Sequence, residues 1–364
     1  MKFRVILLSV ASIGMVGCSS SQSSEDSQPR LKNSAFTTTT IIPPDRNMSN
    51  QDLSNQTFNG VDFSGVNFSG ANLTRTVFNY CNLSGANFTG VQAAAAEFWS
   101  DAKNANFTKA FLRNANFYKV KGANFFQADL DQADFTGVEI TGANFSEANL
   151  HYAKMIFTWG TANFENANMS ALRGSQFNSS GSNFKSVTFR NADLRGANLS
   201  NSDLSGAYFA QADLSSYASW AVSDLSNSKL VGTDFSFVRM ESTKIAGLDL
   251  SGTKMFNAHM KKMDLSNRNF EKMDLREVDF SDSNVAGSNF QQADMRKAFF
   301  WRSNLSNVNM TMTNLDDANF NDANMDKLRM PGASITRADF RGISRKGTVW
   351  PKYCKPGNRN CATW

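Results

Sequence analysis

Large apolar residues recur at every fifth position along most of this chain. From Leu53 to Phe340 these positions hold mainly Phe, Leu, Met, Ile or Val, usually with Asn or Asp just before and a small residue two before. Ala71-Asn72-Leu73 and Ala318-Asn319-Phe320 are typical. A period of five fits neither an α-helix (3.6 residues per turn) nor a β-strand (2), so it indicates an internal repeat.

Each five-residue unit must bury its large residue and its small partner and expose the other three. A short extended stretch followed by a turn satisfies this requirement. Asn or Asp before the large residue favours such a turn, because its side chain bonds nearby backbone. Gly often follows two residues later, as at Gly65 and Gly70, where a turn requires positive φ. Four units would close a square coil, and coils would stack by backbone hydrogen bonds roughly 4.8 Å apart.

The repeat closely resembles that of the pentapeptide-repeat family, written A(D/N)LXX, over residues 53–340. The resemblance implies an all-β fold, the right-handed quadrilateral β-helix, here with about 14 coils stacked at the strand spacing. Phe and Met replace the family's usual Leu at many large positions. We therefore expect a wide interior with stacked aromatic rings.

The first 17 residues predict a signal peptide. Lys2 and Arg4 precede the apolar run 5–15, which is too short to span a membrane. Met15-Val16-Gly17-Cys18 resembles the lipobox of bacterial lipoproteins, which implies acylation of Cys18, for example by palmitate. An ordinary signal peptide with an incidental Cys is the alternative. Residues 18–40 predict a polar tether, and Ser19 in place of Asp predicts an outer-membrane destination, either periplasmic or surface-exposed.

Caps are predicted at both ends of the repeat, over 41–52 and 341–364. The net charge is +5, and the C-terminal cap has six basic and no acidic residues. This cap could attract anionic lipid headgroups or phosphorylated glycans, or could simply be solvated. Cys354 and Cys361 flank a strong turn sequence, which predicts a disulfide in an oxidising compartment. Cys81 occupies a small-partner position and is expected to be buried and inert.

The sequence predicts no enzyme. Its two histidines, His151 and His259, are far apart and are expected to point outward. No nucleophilic triad, phosphate-binding Gly loop or His/Cys metal spacing occurs. We therefore expect no catalytic residue, no metal and no cofactor.

The repeat is interrupted at 99–104, 118–122, 156–161, 178–182 and 215–222. If each interruption counts as one degenerate repeat, the five differ by multiples of four and lie on one side of the coil. If they are insertions within single steps, the alignment disappears. Aromatic residues in and aligned with the interruptions form a predicted partner-binding set, whose members could instead fold back against the coil: Trp99, Tyr118, Trp159, Tyr217, Trp220, Phe256 and Trp301.

These features predict a non-catalytic, outer-membrane-anchored binding or scaffold protein that uses one face for protein–protein interaction. The alternative is a glycan-binding module for peptidoglycan or surface polysaccharide. Its expected partners are the lipid bilayer, through Cys18, and an unknown envelope protein or glycan. DNA mimicry, which occurs among acidic cytosolic members of the family, does not suit an exported basic chain, so no nucleic acid partner is expected.

Overall fold

The computed structural model describes residues 42–352 and the backbone of one further short strand. All regular elements in this part are β-strands: β1 (Thr57–Asn59), β2 (Val77–Asn82), β3 (Glu97–Asp101), β4 (Asn116–Lys119), β5 (Ala338–Asp339) and β6 (Ala362–Thr363). β1 to β4 form one parallel sheet in that order, and β5 pairs with β6 in parallel. Outside these strands, single parallel bridges connect successive coils.

The bridges define a coil with four faces. Residues twenty apart pair along most of the chain, as Asn47 does with Asn67. We number the faces from the residues that start their ladders: face 1 from Asn47, face 2 from Asp52, face 3 from Thr57 and face 4 from Asp62. This four-sided stacking confirms the predicted right-handed quadrilateral β-helix.

The turns between faces have the predicted chemistry. The turn from Asn67 to Ala71 is representative. The Oδ1 atom of Asn67 accepts a 3.1 Å hydrogen bond from the backbone N–H of Ser69. Ala71 N–H donates to the carbonyl of Phe68 at 2.9 Å, and Gly70 between them has φ +69°. A positive φ at the third residue is what a type II turn requires.

Phe rings form two continuous stacks in the interior of the N-terminal half of the coil. On face 1, Phe68 and Phe88 have centroids 5.0 Å apart and planes within 4°. The same geometry continues through Phe107, Phe125, Phe145, Phe164 and Phe184. A second stack on face 3 meets the first edge to face, as Phe98 does Phe107 at 5.4 Å. Each such pair contributes about 0.5–1.5 kcal/mol beyond its buried area. The expected aromatic interior is confirmed.

The coil extends past both ends of the predicted repeat region. Asn47 and Asp52, placed by sequence in the N-terminal cap, already pair with the next coil. At the other end Val349 pairs with Arg329, so the coil continues into the predicted C-terminal cap. The predicted signal peptide, tether and lipidated Cys18 lie outside the described residues, as do Cys354 and Cys361. Within residues 42–352, no helix is long and apolar enough to cross a membrane.

One step of the repeat is irregular. The spacing alone predicts Phe177 as a large central residue that an insertion separates from Met169. Instead Arg173 pairs with Lys154 and Asp193, so Gly174 takes the central position and the coil has its full length. Phe177 occupies the following small-partner position and is fully buried, with its ring 6.0 Å from that of Phe164. Large and small residues have exchanged places within one repeat.

The coil stacking has one weak level, which we call the seam. Three of its four bridges are absent: Lys244 to Asp264, Asp249 to Asn269, and Lys254 to Asp274. Only the face 3 ladder is continuous there, through His259. Large buried side chains occupy small-partner positions around it: Leu248, Met263 and Met273. These side chains need more room than Ala or Ser, which separates neighbouring coils.

Arg268 occupies a small-partner position at the seam. Its Nη1 donates to the carbonyl of Leu248 at 2.5 Å, and its Nη2 donates to the carbonyl of Ile245 at 3.0 Å. The guanidinium thus binds carbonyl groups of the preceding coil where the ladder is interrupted.

Cys81 is buried, as predicted. Its Sγ lies 3.6 Å from the carbonyl of Phe58, and its backbone N–H donates to Ser100 Oγ at 2.9 Å. Burial raises the pKa of the thiol, which suppresses the reactive thiolate.

Candidate functional site

All five interruptions lie where face 3 turns into face 4 or on face 4 itself. The face 4 residues within the first four interruptions are Asp101, Lys119, Trp159 and Asn178, and Asp224 is the face 4 residue that follows the last one. This register confirms that each of the first four interruptions counts as one repeat. The count is wrong for the fifth, 215–222: Asp213 lies on face 3 and Asp224 on face 4, so it is an insertion within a single step. The physical causes differ: the corner after Phe98 has one residue fewer, the corner after Phe117 has two fewer, and 215–222 adds six.

Eight aromatic side chains lie along this corner and the adjoining edge of face 4. We call them the aromatic ridge: Tyr80, Trp99, Tyr118, Phe157, Trp159, Tyr217, Trp220 and Trp301. All four exposed tryptophans of residues 42–352 belong to it. The most exposed members are Tyr80 at 83% and Trp220 at 74%. None of the ridge residues is buried, so the possibility that they fold back into the coil wall is wrong.

The first three ridge residues lie within β2, β3 and β4. β2, β3 and β4 continue through the corner, whereas other coils turn there. Tyr80, Trp99 and Tyr118 lie on these strands, one per coil. Trp99 is oriented by Glu97, whose Oε2 accepts a 2.6 Å hydrogen bond from the indole Nε1.

Residues 215–222 form a small loop that carries two more ridge residues. Tyr217 N–H donates to the carbonyl of Ala221 at 2.8 Å, and Ala218 pairs antiparallel with Ala221. The loop packs on the coil below at Gly196, where an added Cβ would lie 3.1 Å from Ala221 O and 3.2 Å from Tyr217 Cβ. Because Gly196 has no side chain, the loop lies close to the coil below, and Trp220 points outward.

Cationic groups accompany several ridge rings. The guanidinium of Arg302 lies 4.8 Å from the Trp301 ring centroid, and that of Arg195 lies 5.6 Å from the Tyr217 centroid. Asp193 accepts two 2.8 Å hydrogen bonds from Arg195, which raises the pKa of the guanidinium and fixes its position. The Nζ atom of Lys119 is 5.2 Å from the Tyr118 centroid. The ridge is thus aromatic and locally basic. Its cation–π contacts become stronger when a bound partner excludes water from them.

A groove of about 390 Å³ opens between two ridge residues. Tyr118 and Trp159 form its walls, and Gly137 lies on the coil between them. Its polar lining is Asp101, Lys103, Lys119, Lys121 and Glu139. We call it the Tyr118–Trp159 groove.

One predicted member of the partner-binding set is not on the ridge. Phe256 lies between faces 2 and 3, because Lys254 belongs to the face 2 ladder. Its ring packs edge to face on Phe237 at 5.2 Å and lies 5.2 Å from the Arg276 guanidinium. The other six predicted residues are brought together: Trp99, Tyr118, Trp159, Tyr217, Trp220 and Trp301.

Sequence analysis missed two ridge residues, Tyr80 and Phe157. Tyr80 lies in a regular five-residue step, so no interruption drew attention to it. Both have positive φ, 55° and 54°, at the turn position where Gly and Asn are frequent. A large aromatic residue at that position was the signal that could have revealed them.

Nothing in residues 42–352 assembles into a metal site: no group of three His, Cys, Asp or Glu side chains has suitable geometry. His151 instead bonds Asp131, with 3.0 Å between Nδ1 and Oδ1. The ridge offers stacking surfaces, hydrogen-bonding groups and charge. These are binding functions.

The chain belongs to the pentapeptide repeat family. The family's sequence model, described as pentapeptide repeats, matches eight times and covers well over half of the chain: residues 47–92, 121–155, 162–201, 182–216, 223–257, 274–311, 286–322 and 303–342. No curated protein matches the chain.

Solved structures of similar proteins include HetL of Nostoc sp. strain PCC 7120, a pentapeptide repeat protein involved in heterocyst differentiation regulation. It is 20% identical, with 84% of this chain and 89% of that chain covered and a TM-score of 0.23. Full-length QnrB1, a plasmid-mediated fluoroquinolone resistance protein, is 22% identical, with 57% and 93% covered and a TM-score of 0.27.

Rfr23 from the cyanobacterium Cyanothece 51142 is 27% identical, with a TM-score of 0.25. The match covers 25% of this chain and 63% of that chain, which is less than two thirds of its length. All these TM-scores are below 0.5.

Proposed function

We propose that this chain is a non-catalytic binding protein of the cell envelope that presents the aromatic ridge to a protein partner. One observation carries the proposal: every exposed tryptophan of the described coil lies on one corner, although the coil has four faces. Aligned, half-exposed aromatic side chains are typical of interaction surfaces, since they bury large area at low entropic cost. Exposed tryptophans scattered singly over all four faces would not indicate an interaction surface.

Photo-crosslinking in living cells tests this proposal with a matched pair. Trp159 on face 4 is 48% exposed, and Phe111 on the opposite face 2 is 49% exposed. A photoreactive phenylalanine analogue is introduced at one position or the other. A discrete protein adduct from position 159 alone supports docking on the ridge. Equal adducts from both positions would contradict it.

Glycan binding is the second candidate, and the Tyr118–Trp159 groove favours it. Aromatic walls with a charged, hydrogen-bonding lining suit sugar rings better than an apolar protein surface. Retention of the chain on purified cell wall or surface polysaccharide, lost in Trp159→Ala, with no protein adduct would favour this function.

We also propose that acylated Cys18 anchors the chain at the outer membrane. The charged start, the short apolar run and the lipobox-like Met15-Val16-Gly17-Cys18 support this proposal. Replacing Cys18 with Ala should release the protein from the membrane fraction. Continued membrane association of the Cys18→Ala variant would refute the anchor and leave the ridge proposal intact.

A further inference from the structure

We propose that the Tyr118–Trp159 groove is a binding site for an acidic saccharide, a sugar ring that carries a carboxylate or a phosphate. This proposal rests on the second candidate function, glycan binding in this groove, and names the chemical class of the glycan. It is independent of protein docking on the rest of the ridge.

The groove exists because the coil is shortened at this point. Only Tyr118 and Lys119 separate the central residues Phe117 and Val120, where a regular step has four intervening residues. The face 4 ladder runs as far as Lys119 and resumes at Glu139, but no bridge joins these two residues. The short corner therefore draws the backbone away from the next coil, and a cleft replaces the missing rung.

The walls of the groove are two aromatic side chains separated by a gap. Tyr118 and Trp159 lie two coils apart, which is roughly 10 Å along the coil axis. The intervening coil has Gly137 at the corner, where an added Cβ would meet no atom within 4 Å. The space between the walls is thus open and large enough for a ring-sized group. Aromatic faces stack on the C–H faces of sugars in this arrangement.

The charges in the groove favour an acidic ligand. Lys121 is neutralised by Glu139, with 3.1 Å between Nζ and Oε1. No ion pair within residues 42–352 involves Lys103 or Lys119, although both line the groove. Two ammonium groups are therefore available to a carboxylate or phosphate. Apart from Glu139, Asp101 is the one acidic residue that lines the groove.

The remaining polar groups match sugar hydroxyls. Asp101 and Glu139 carboxylates accept hydrogen bonds from hydroxyl groups, and lysine ammonium groups donate to them. An apolar peptide side chain would instead leave these groups desolvated and unpaired, which costs binding energy. Pocket volumes of about 300–1,000 Å³ are usual for small ligands, and the groove lies within this range.

Titration of the full chain with matched sugars tests the inference. The probes are an oligogalacturonate, the corresponding neutral oligogalactose, and glucose 6-phosphate beside glucose. We expect the acidic member of at least one pair to bind more tightly by about tenfold, equal to about 1.4 kcal/mol. The two acidic probes distinguish a carboxylated from a phosphorylated source.

Variants connect the binding to the groove. Trp159→Ala should weaken binding of both charged and neutral sugars at least about tenfold, while Trp159→Phe should retain most of it. The double variant Lys103→Gln, Lys119→Gln should remove only the preference for the acidic probe. Phe111→Ala, on face 2 and outside the ridge, should leave binding unchanged.

Two results would overturn the inference. The first is no binding of any probe at millimolar concentration. The second is an equal loss of affinity in Phe111→Ala and Trp159→Ala, which would show that the sugar does not bind specifically in the groove. Either result would leave protein docking untouched if position 159 still gives a discrete protein adduct.

Discussion

Gly160 packs directly against the backbone of Thr141. A Cβ atom at position 160 would lie 2.6 Å from the Thr141 nitrogen and 2.5 Å from its Oγ1, and φ of Gly160 is +119°. Both the space and the backbone conformation exclude other residues. Because Gly160 follows Trp159, the contact fixes where this ridge residue leaves the coil.

Gly160→Ala should therefore destabilise the chain by about 1–3 kcal/mol, the usual cost of a strained backbone position. The matched variant Gly137→Ala also has positive φ, +72°, but meets no atom, and should cost only about 1 kcal/mol. Thermal unfolding of the two variants measures the difference. Equal unfolding midpoints would show that the close contact with Thr141 is absent.

Leu265→Asp should disrupt the coil. Leu265 is a central residue on face 4 with no exposed surface, so the variant would bury an unpaired carboxylate. We expect a loss above about 4 kcal/mol or failure to fold. Asn267→Asp places the same charge two residues later on the exposed turn and should be nearly neutral. A wild-type midpoint for Leu265→Asp, measured by circular dichroism, would contradict the register.

Arg268→Ala should loosen the seam. The guanidinium binds the carbonyls of Ile245 and Leu248 where three bridges are missing. Hydrogen bonds to a charged group contribute about 1.5–3 kcal/mol, so amides of 245–255 should exchange at least about tenfold faster. Arg296→Ala, which removes an exposed ion pair with Asp294, is the control. Unchanged exchange at 245–255 would mean that Arg268 does not stabilise this level.

Acid should weaken the coil through the Asp residues that precede central positions. The hydroxyl and backbone N–H of Ser266 lower the pKa of Asp264 below its usual 3.8, and Ser54 acts likewise on Asp52. A lowered pKa stabilises the fold above pH 3.8, and that stability is lost as pH falls through the folded pKa. The thermal midpoint should therefore drop below pH 4.

Asp264→Asn keeps the Oδ1 acceptor and cannot titrate. Its thermal midpoint at pH 7 should stay near that of the unaltered chain, and its decline between pH 4 and pH 2 should be smaller. A steeper decline of its thermal midpoint in acid would contradict the claim that ionised Asp264 stabilises the fold.

Much of the coil was predictable from the sequence because its period is strict. The five-residue spacing set the faces, and Asn67 and its equivalents supplied the turn hydrogen bonds. Counting by repeats also placed Trp99 and Trp301 on one corner, although more than 200 residues separate them. Their alignment follows from arithmetic, since every fourth repeat returns to the same side.

The remaining features depend on side-chain size and contact, which a period does not encode. Gly174 with Phe177 fills the interior as well as the usual large and small order, so the sequence alone suggested an insertion. The seam arises from the combined bulk of Leu248 and Met263 beside Arg268. The groove was not predictable from the sequence, because it depends on the missing bridge between Lys119 and Glu139.

Hydroxyl-radical footprinting in intact cells and on the purified chain tests the ridge as the working surface most directly. Mass spectrometry would compare oxidation of Trp99, Trp159, Trp220 and Trp301 with that of Phe111 and Tyr208 on face 2. We expect ridge residues to be protected in cells and reactive after purification, while Phe111 and Tyr208 react equally in both. Protection of face 2 with a fully reactive ridge would contradict it.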